Sequence, residues 1–395
     1  MPDSNYRTLV QSLNEKQEIF FFYNILNHFK TSDTPLYTFL TGGAGVGKSV
    51  LLRCLYQALV KFFNHKVGEN PDNLKVLLCA PTGKAAHNIG GNTIHSAFGI
   101  PVGRGFSFKP LDMHQLDSMR CKFFHLKIVF IDEISMVGQK MFNFINLRLQ
   151  ELKGCCKPFG GVSVIAFGDL YQLKPVMDSW IFTVPRIGIE CIGANLWQDH
   201  FTIFELEEIM RQKDDVAFAQ LLNRLREGNH LVPQDIEVLQ SRLLTASNES
   251  YAHNLNLIPH LFTTRSECDL HNFHVLENLP ETMKTIVNSI DTVSGDVSCS
   301  LKEKILSKVP DDAGKTMELQ RNLHLAIGPP FELCLNVSVE DGLTNGASCS
   351  IKMFDYRVSS SERVSIVWVE LENASSGCQW RQKYSNLYKA NIPRS

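Results

Sequence analysis

Residues 42–49 read GGAGVGKS, which fits the spacing G-x-x-x-x-G-K-[ST]. Glycines at this spacing let a backbone curl so that its N–H groups face inward and cradle phosphate oxygens. The helix-like run VLLRCLYQALV that follows adds the positive end of its dipole. Gly42, Gly43, Ala44, Gly45, Val46, Gly47, Lys48 and Ser49 are therefore the candidate nucleotide contacts. Lys48 would reach the β and γ phosphates, and Ser49 would ligate Mg²⁺. The plain alternative is a structural Gly-rich turn. The strand-like LYTFL just before the loop and the helix-like run after it argue for the phosphate.

Two further groups of residues suit the same chemistry. Asp132 and Glu133 follow the apolar run LKIVFI, so both carboxylates emerge at the end of a buried strand. Asp132 can hold Mg²⁺, and Glu133 can orient and deprotonate an attacking water. An acidic pair that merely favours a helix N-terminus is the competing reading. In GDLYQLKPV at 168–176, Gln172 is a neutral amide that can bond a γ-phosphate or the water, or simply belong to a turn before a proline.

PTGKAAHNIGGNTIHSAFGIP at 81–101 is polar where a sheet edge would face solvent. Thr82, Lys84, Thr93 and His95 could donate to a nucleic-acid backbone, and Phe98 could stack on a base. A solvated loop with a buried Phe explains the same residues. In LNEKQ at 13–17, Asn14 and Gln17 have capping-box spacing; the functional reading has Gln17 bonding an adenine edge.

Four short apolar runs carry these groups: 36–40, 74–80, 126–131 and 162–167. Helix-like stretches lie between most of them. The alternation predicts an α/β fold with a parallel sheet covered by helices on both faces, its ligands gathered at the carboxyl ends of the strands. Residues 201–245 have helical spacing throughout, and 257–272 suggest a strand turning into a helix. Residues 288–316 are rich in Ser, Asp, Lys and Gly and read as an exposed loop or insertion. From about 329, FELCLNV, SCSIKMF and VSIVWVEL read as strands of a small β domain.

Composition sets limits on this picture. The 395 residues suffice for two or three domains, and 44% hydrophobic with 20% charged residues is ordinary for a globular chain. The net charge of −2 gives no long-range pull on nucleic acid, so any such contact needs a local basic groove. The 11 cysteines are scattered without zinc-ligand spacing and read as reduced thiols of an intracellular protein. No apolar run is long enough for a membrane span, and neither a signal nor a transit peptide is recognised.

In this order, GGAGVGKS, APTGKAAHNIGGNTIHSAFGIP, FIDEISMV, GDLYQLKPV and LEEIMRQKDDVAFAQLLNRLREG resemble successive motifs of the Pif/RecD branch of superfamily-one DNA helicases. The similarity is greatest to the eukaryotic family named for petite integration frequency, including relatives carried by Helitron transposons. It extends over roughly residues 10–380. It implies a RecA-like P-loop NTPase lobe over 1–200 with a small inserted element near 101–125. A partial second RecA-like lobe over 201–328 and a small β-barrel-like segment over 329–395 would follow.

The resemblance also implies ATP-driven 5′-to-3′ translocation on single-stranded DNA and unwinding of duplex or forked DNA. The family's settings are repair, recombination or telomere maintenance, in the nucleus. ATP and Mg²⁺ are the implied cofactors, and a monomer is expected. Gln17 would contact adenine, and Lys48, Ser49, Asp132, Glu133 and Gln172 would take the roles above. Arg211, in MRQ, would reach the γ-phosphate, and Thr82, Lys84, Thr93 and His95 would contact the strand. Two later motifs of the family are not found, a Thr-x-His-Lys-Ser-Gln-Gly type and an Ala-Leu-Ser-Arg type. The expectation is a chain truncated relative to the family, with a catalytically impaired ATP- and DNA-binding fragment as the alternative.

Overall fold

The computed structural model describes residues 2–65, 68–101, 108–183, 195–210, 215–243, 258–295, 297–310, 315–316, 319–356 and 364–385. The chain divides into two compact units, residues 1–242 and 243–395.

The first unit is built on six parallel strands in the order β3-β2-β4-β5-β1-β6. These are β1 (Tyr37–Gly42), β2 (Val76–Ala80), β3 (Asn92–Thr93), β4 (Ile128–Ile131), β5 (Ser163–Gly168) and β6 (Thr202–Leu206). Every residue of β2, β4 and β5 is buried, so both faces of these strands are covered. That explains why their sequences are continuous apolar runs rather than alternating ones. The chain leaves β1, skips to the far side of the sheet, and returns to place β5 and β6 on either flank of β1. In such a sheet the crevice at the carboxyl ends beside the central strand is the natural ligand site.

Among the described residues the α-helices of this unit begin with α1 (Asp3–Gln11), α2 (Glu15–Glu18), α3 (Asn27–Thr31), α4 (Lys48–Asn64), α5 (Gly83–Ile89) and α6 (Ile94–Phe98). They continue with α7 (Met113–Phe123), α8 (Gln139–Lys153), α9 (Leu196–His200), α10 (Val216–Glu227) and α11 (Pro233–Gln240). A π-helical stretch, Ile19–Leu26, joins α2 to α3 and buries Phe20, Phe21 and Ile25. Side chains alternate across the strands. Phe39, Val129, Ile131 and Val164 enter one apolar layer with α8 residues such as Phe142 and Ile145. Phe130 and Phe167 meet edge to face at 5.6 Å, and Phe20 packs on Phe204 with centroids 5.0 Å apart.

The expected domain boundary at 200 lies inside this unit. Residues 202–206, read from the sequence as helical, form β6, paired with β1 from Thr38↔Thr202 to Gly42↔Leu206. As an edge strand β6 keeps Thr202, Ile203 and Glu205 exposed. Its polar residues blur the periodicity, and pairing with β1 decides the conformation. The helical reading holds over Val216–Glu227 and Pro233–Gln240, but not over residues 228–232 between them.

The second unit contains the antiparallel pair β7 (Lys284–Asn288) and β8 (Asn322–Ala326). A three-stranded antiparallel sheet follows, β9 (Pro330–Glu332), β10 (Ser348–Asp355) and β11 (Ile366–Leu371), in the order β11-β10-β9. Residues 258–264 form no strand; they lead into the helix Arg265–Glu277, which Thr264 and Glu267 close with a capping box. The stretch read as a loop holds a short helix, Cys299–Leu306. Of FELCLNV only the first residues join β9. Among the described residues no helix is long and apolar enough to cross a membrane.

Candidate nucleotide site

The phosphate loop leaves β1 at Gly42 and enters α4 at Lys48. A Cβ on Gly42 would lie 2.4 Å from the Leu206 carbonyl oxygen, so only glycine lets the loop pass the end of β6. Gly47 sits in the left-handed region at φ +84°, and a Cβ there would lie 2.4 Å from Gln17 Nε2.

The loop is held from outside by two donors. Gln17 Nε2 donates to the Val46 carbonyl at 2.9 Å, and the Met210 N–H donates to the Gly45 carbonyl at 2.9 Å. A planar trans peptide points its N–H opposite its C=O. The N–H groups of Val46 and Gly47 are thus turned away from these two partners, the orientation an anion-binding loop requires. Lys48 Nζ donates to the carbonyls of Gly42 at 2.6 Å and Gly43 at 3.0 Å. Burial pulls its pKa down, while the nearby carboxylates of Asp169, Glu133 and Asp132 pull it up; burial prevails.

Both sequence readings of Gln17 bear on one side chain. The capping box with Asn14 is formed, with Gln17 Oε1 accepting from the Asn14 N–H at 3.0 Å. The other end of the same amide props the phosphate loop, and Gln17 is only 2% exposed. In this conformation the amide is committed to the loop backbone at one end and to the cap at the other.

Asp132 and Glu133 stand at the end of β4, where Asp132 N–H bonds the Cys79 carbonyl of β2 at 2.9 Å. Burial, reinforced by the Glu133 charge, pushes the Asp132 carboxyl up to about 6. Glu133 adopts φ +52°, a left-handed conformation uncommon outside glycine. A strained backbone at a strand end is a recurring feature of reactive positions. The donors offered to a divalent cation are the Asp132 carboxylate and the Ser49 hydroxyl in the first turn of α4. An all-oxygen set suits a hard ion such as Mg²⁺. A carboxyl that is buried beside a second acid fits the position, since a cation would offset both charges.

Gln172 and Asp169 occupy the turn after β5. Asp169 is fully buried. Its carboxylate accepts from Tyr171 N–H at 3.1 Å and from Gln172 Nε2 at 3.1 Å. Arg226 of α10 adds a bidentate pair, Nε to Oδ2 at 2.6 Å and Nη2 to Oδ1 at 2.9 Å. Burial alone would raise the Asp169 pKa, but these hydrogen bonds outweigh it and hold the carboxyl below its ordinary range. The Arg226 guanidinium also lies over the Tyr171 ring at 4.8 Å.

Neither Arg226 nor Asp169 was singled out from sequence. Asn223 and Arg226, one helical turn apart, face the phosphate loop: a Cβ on Gly43 would lie 3.1 Å from Asn223 Oδ1 and 3.8 Å from Arg226 Cζ. The available signal was an Arg and an Asn at i, i+3 on a helix whose Ala219 and Leu221 are buried. Arg211, expected at the γ-phosphate, lies outside the described residues.

The segment expected to contact a strand is displayed by two short helices. Thr82 and Thr93 are their N-caps, accepting from the N–H groups of Ala85 and Ser96, both at 3.2 Å. Lys84 is exposed, and His95 is half-buried with its pKa lowered by that burial. Phe98 does not fit its expected role: it has no exposed surface and packs in the main core against Phe123. No base can stack on it, and the buried-Phe reading of this residue was the right one.

Arg148 of α8 fixes the end of this segment. It is buried, donates from Nε to the Phe98 carbonyl at 3.1 Å and from Nη2 to the Lys109 carbonyl at 3.2 Å. It pairs with Glu151 and lies 5.1 Å from the ring centres of both Phe108 and Phe144.

A sequence model described as PIF1-like helicase matches residues 12–235. The chain is 33% identical over 263 residues to the ATP-dependent DNA helicase PIF1 of Candida albicans, covering 64% of this chain and 27% of that protein. It is 30% identical over 311 residues to the Danio rerio protein of the same name, covering 78% of this chain and 43% of the relative. The chain spans about a quarter to two-fifths of the length of such curated relatives. The crystal structure of Pif1 helicase from Candida albicans superposes with a TM-score of 0.58 at 26% identity, over 96% of this chain and 73% of that one. A structure described as the basis for DNA unwinding at forked dsDNA by two coordinating Pif1 helicases has a TM-score of 0.60 over 91% of this chain and 74% of that one. At 23% identity it speaks for the fold alone.

Proposed function

Since this chain belongs to the PIF1-like helicase family, we propose that it binds and hydrolyses ATP at the 42–49 loop and couples the reaction to movement 5′ to 3′ on single-stranded DNA. The observation that carries this reading is the gathering of Lys48, Asp132, Glu133 and Asp169 at the carboxyl ends of the adjacent parallel strands β1, β4 and β5.

Loop N–H groups and the start of α4 receive the phosphates. Lys48 exchanges the carbonyls of Gly42 and Gly43 for phosphate oxygens, a stronger charge-assisted pairing. Asp132 and Ser49 would hold Mg²⁺, which supplies charge neutralisation at the phosphates when bound. Glu133 accepts a proton from water as the water oxygen bonds the γ-phosphorus and the bond to the bridging oxygen of ADP breaks. Gln172 orients that water. Arg211 belongs to this reading as a γ-phosphate contact.

The strand would run past Thr82, Lys84, Thr93 and His95. The two threonine hydroxyls accept in their caps, which leaves their O–H groups to donate to phosphate. Contacts of this kind give salt-sensitive, weakly sequence-selective binding. The proposal includes a partial second RecA-like lobe before residue 329 and a small β element after it. It places the protein as a monomer acting in the nucleus on forked or duplex DNA in repair, recombination or telomere maintenance.

The test is the ATP hydrolysis rate with and without single-stranded DNA, beside Lys48→Ala. Turnover stimulated by DNA and lost in the variant supports the reading. ATP and DNA binding without turnover would instead support a binding fragment, and turnover indifferent to DNA would overturn the coupling to a strand.

A further inference from the structure

We propose that Arg226 is a positioning residue for hydrolysis: through Asp169 it fixes the side-chain amide of Gln172 with the oxygen end free for the attacking water. The inference rests on the reading of the site as hydrolytic.

A glutamine amide has a donor end and an acceptor end, and only the acceptor end can receive a proton of the attacking water. Gln172 Nε2 lies 3.1 Å from Asp169 Oδ2. An ionised carboxylate accepts and never donates, so the NH₂ end must face it and Oε1 must face away. The orientation holds only while Asp169 stays ionised. A protonated carboxyl could donate to Oε1 and turn the amide over.

Keeping a fully buried carboxylate ionised requires a counter-charge, and Arg226 is that charge. Its planar fork meets both carboxylate oxygens, so it sets the plane of Asp169 as well as its charge. The stack on Tyr171 fixes the turn between Asp169 and Gln172. The same helical face, through Asn223 and Arg226, abuts Gly43. One helix therefore sets the Gln172 turn against the phosphate loop, and the distance between water and phosphate follows from that spacing. Lysine would keep the charge but lose the fork and the stack.

The test compares affinities for ADP and for ADP with aluminium fluoride, a mimic of the transferring phosphoryl group, so it needs no turnover. The proteins are wild type, Arg226→Gln, Arg226→Lys, Gln172→Ala and each Arg226 variant combined with Gln172→Ala. Thermal melting identifies which variants are folded, and Arg226→Lys serves if Arg226→Gln is not. The wild type is expected to prefer the mimic over ADP. The Arg226 variants should lose ~10-fold or more of that preference, with ADP affinity unchanged within about twofold. In the Gln172→Ala background they should cost nothing further.

Equal weakening of ADP and the mimic, or effects that multiply with Gln172→Ala, would overturn the proposal and leave Arg226 as a prop of the phosphate loop. A wild type that binds ADP, loses it in Lys48→Ala, yet shows no preference for the mimic overturns the hydrolytic reading and this inference with it.

Discussion

Arg226 and Asp169, 57 positions apart in sequence, meet in two charge-assisted hydrogen bonds of 2.6 and 2.9 Å. Asp169 has no exposed surface, and Arg226 screens it on the side of the phosphate loop. Breaking such a pair strands a charge in a dry site, which is a larger effect than the pair's own net contribution.

Replacing Arg226 by Met should therefore destabilise the protein by ~3–5 kcal/mol at neutral pH. The folded-state pKa of Asp169 is depressed, so its stabilisation is present above the ordinary carboxylate range and is lost as pH falls through the folded value. Denaturant titrations of wild type and variant should diverge at pH 7 and converge toward pH 3. A gap that stays constant with pH would refute the electrostatic account.

Asp132 has the opposite sign. Its folded pKa is raised to about 6, so its ionised form opposes folding as pH rises from about 4 to 6. Without Mg²⁺, Asp132→Asn should raise the melting temperature at pH 7.5 by a few degrees while abolishing hydrolysis. Added Mg²⁺ and nucleotide should narrow that difference by stabilising the wild type selectively.

Gly47→Ala combines a left-handed backbone with a methyl group 2.4 Å from Gln17 Nε2. Strain of this kind costs about 1–3 kcal/mol, and the loop should lose nucleotide. Adding Gln17→Ala removes the collision but not the backbone strain. Isothermal titration and melting of the double variant should recover stability only partly. Full recovery would show that φ +84° at Gly47 carries no strain.

In the 81–101 segment, two substitutions should separate packing from strand contact. Phe98→Ala empties a core site and should cost ~3–5 kcal/mol. Lys84→Ala should weaken single-stranded DNA binding and reduce the slope of log affinity against log salt by about one. An unchanged slope would remove Lys84 from the DNA path.

Local signals were strong where chemistry demands one residue type. The phosphate loop needs glycines at set intervals and a lysine, and the strands of a doubly covered sheet must be apolar end to end. GGAGVGKS, the four apolar runs and the DE pair at 132–133 therefore announced the fold class. What the chain could not announce alone were relations between distant segments. Thr202–Leu206 looks half-polar because, among the described residues, one edge of β6 has no partner strand, and only pairing with β1 makes it a strand.

Phe98 sits among polar residues, and only the packing of α6 against the sheet decides that its ring points inward. Gln17 fits a cap in sequence and proves to be a prop of the phosphate loop as well, because the fold brings its amide within 2.9 Å of the Val46 carbonyl, 29 positions away. Arg226 reads as one more charge on a helix until α10 folds it onto Asp169. Spacing along the chain determines which local shapes and which chemistry are possible. Tertiary packing decides which side chains lose water, and burial is what turns a charge or an amide into a fixed participant.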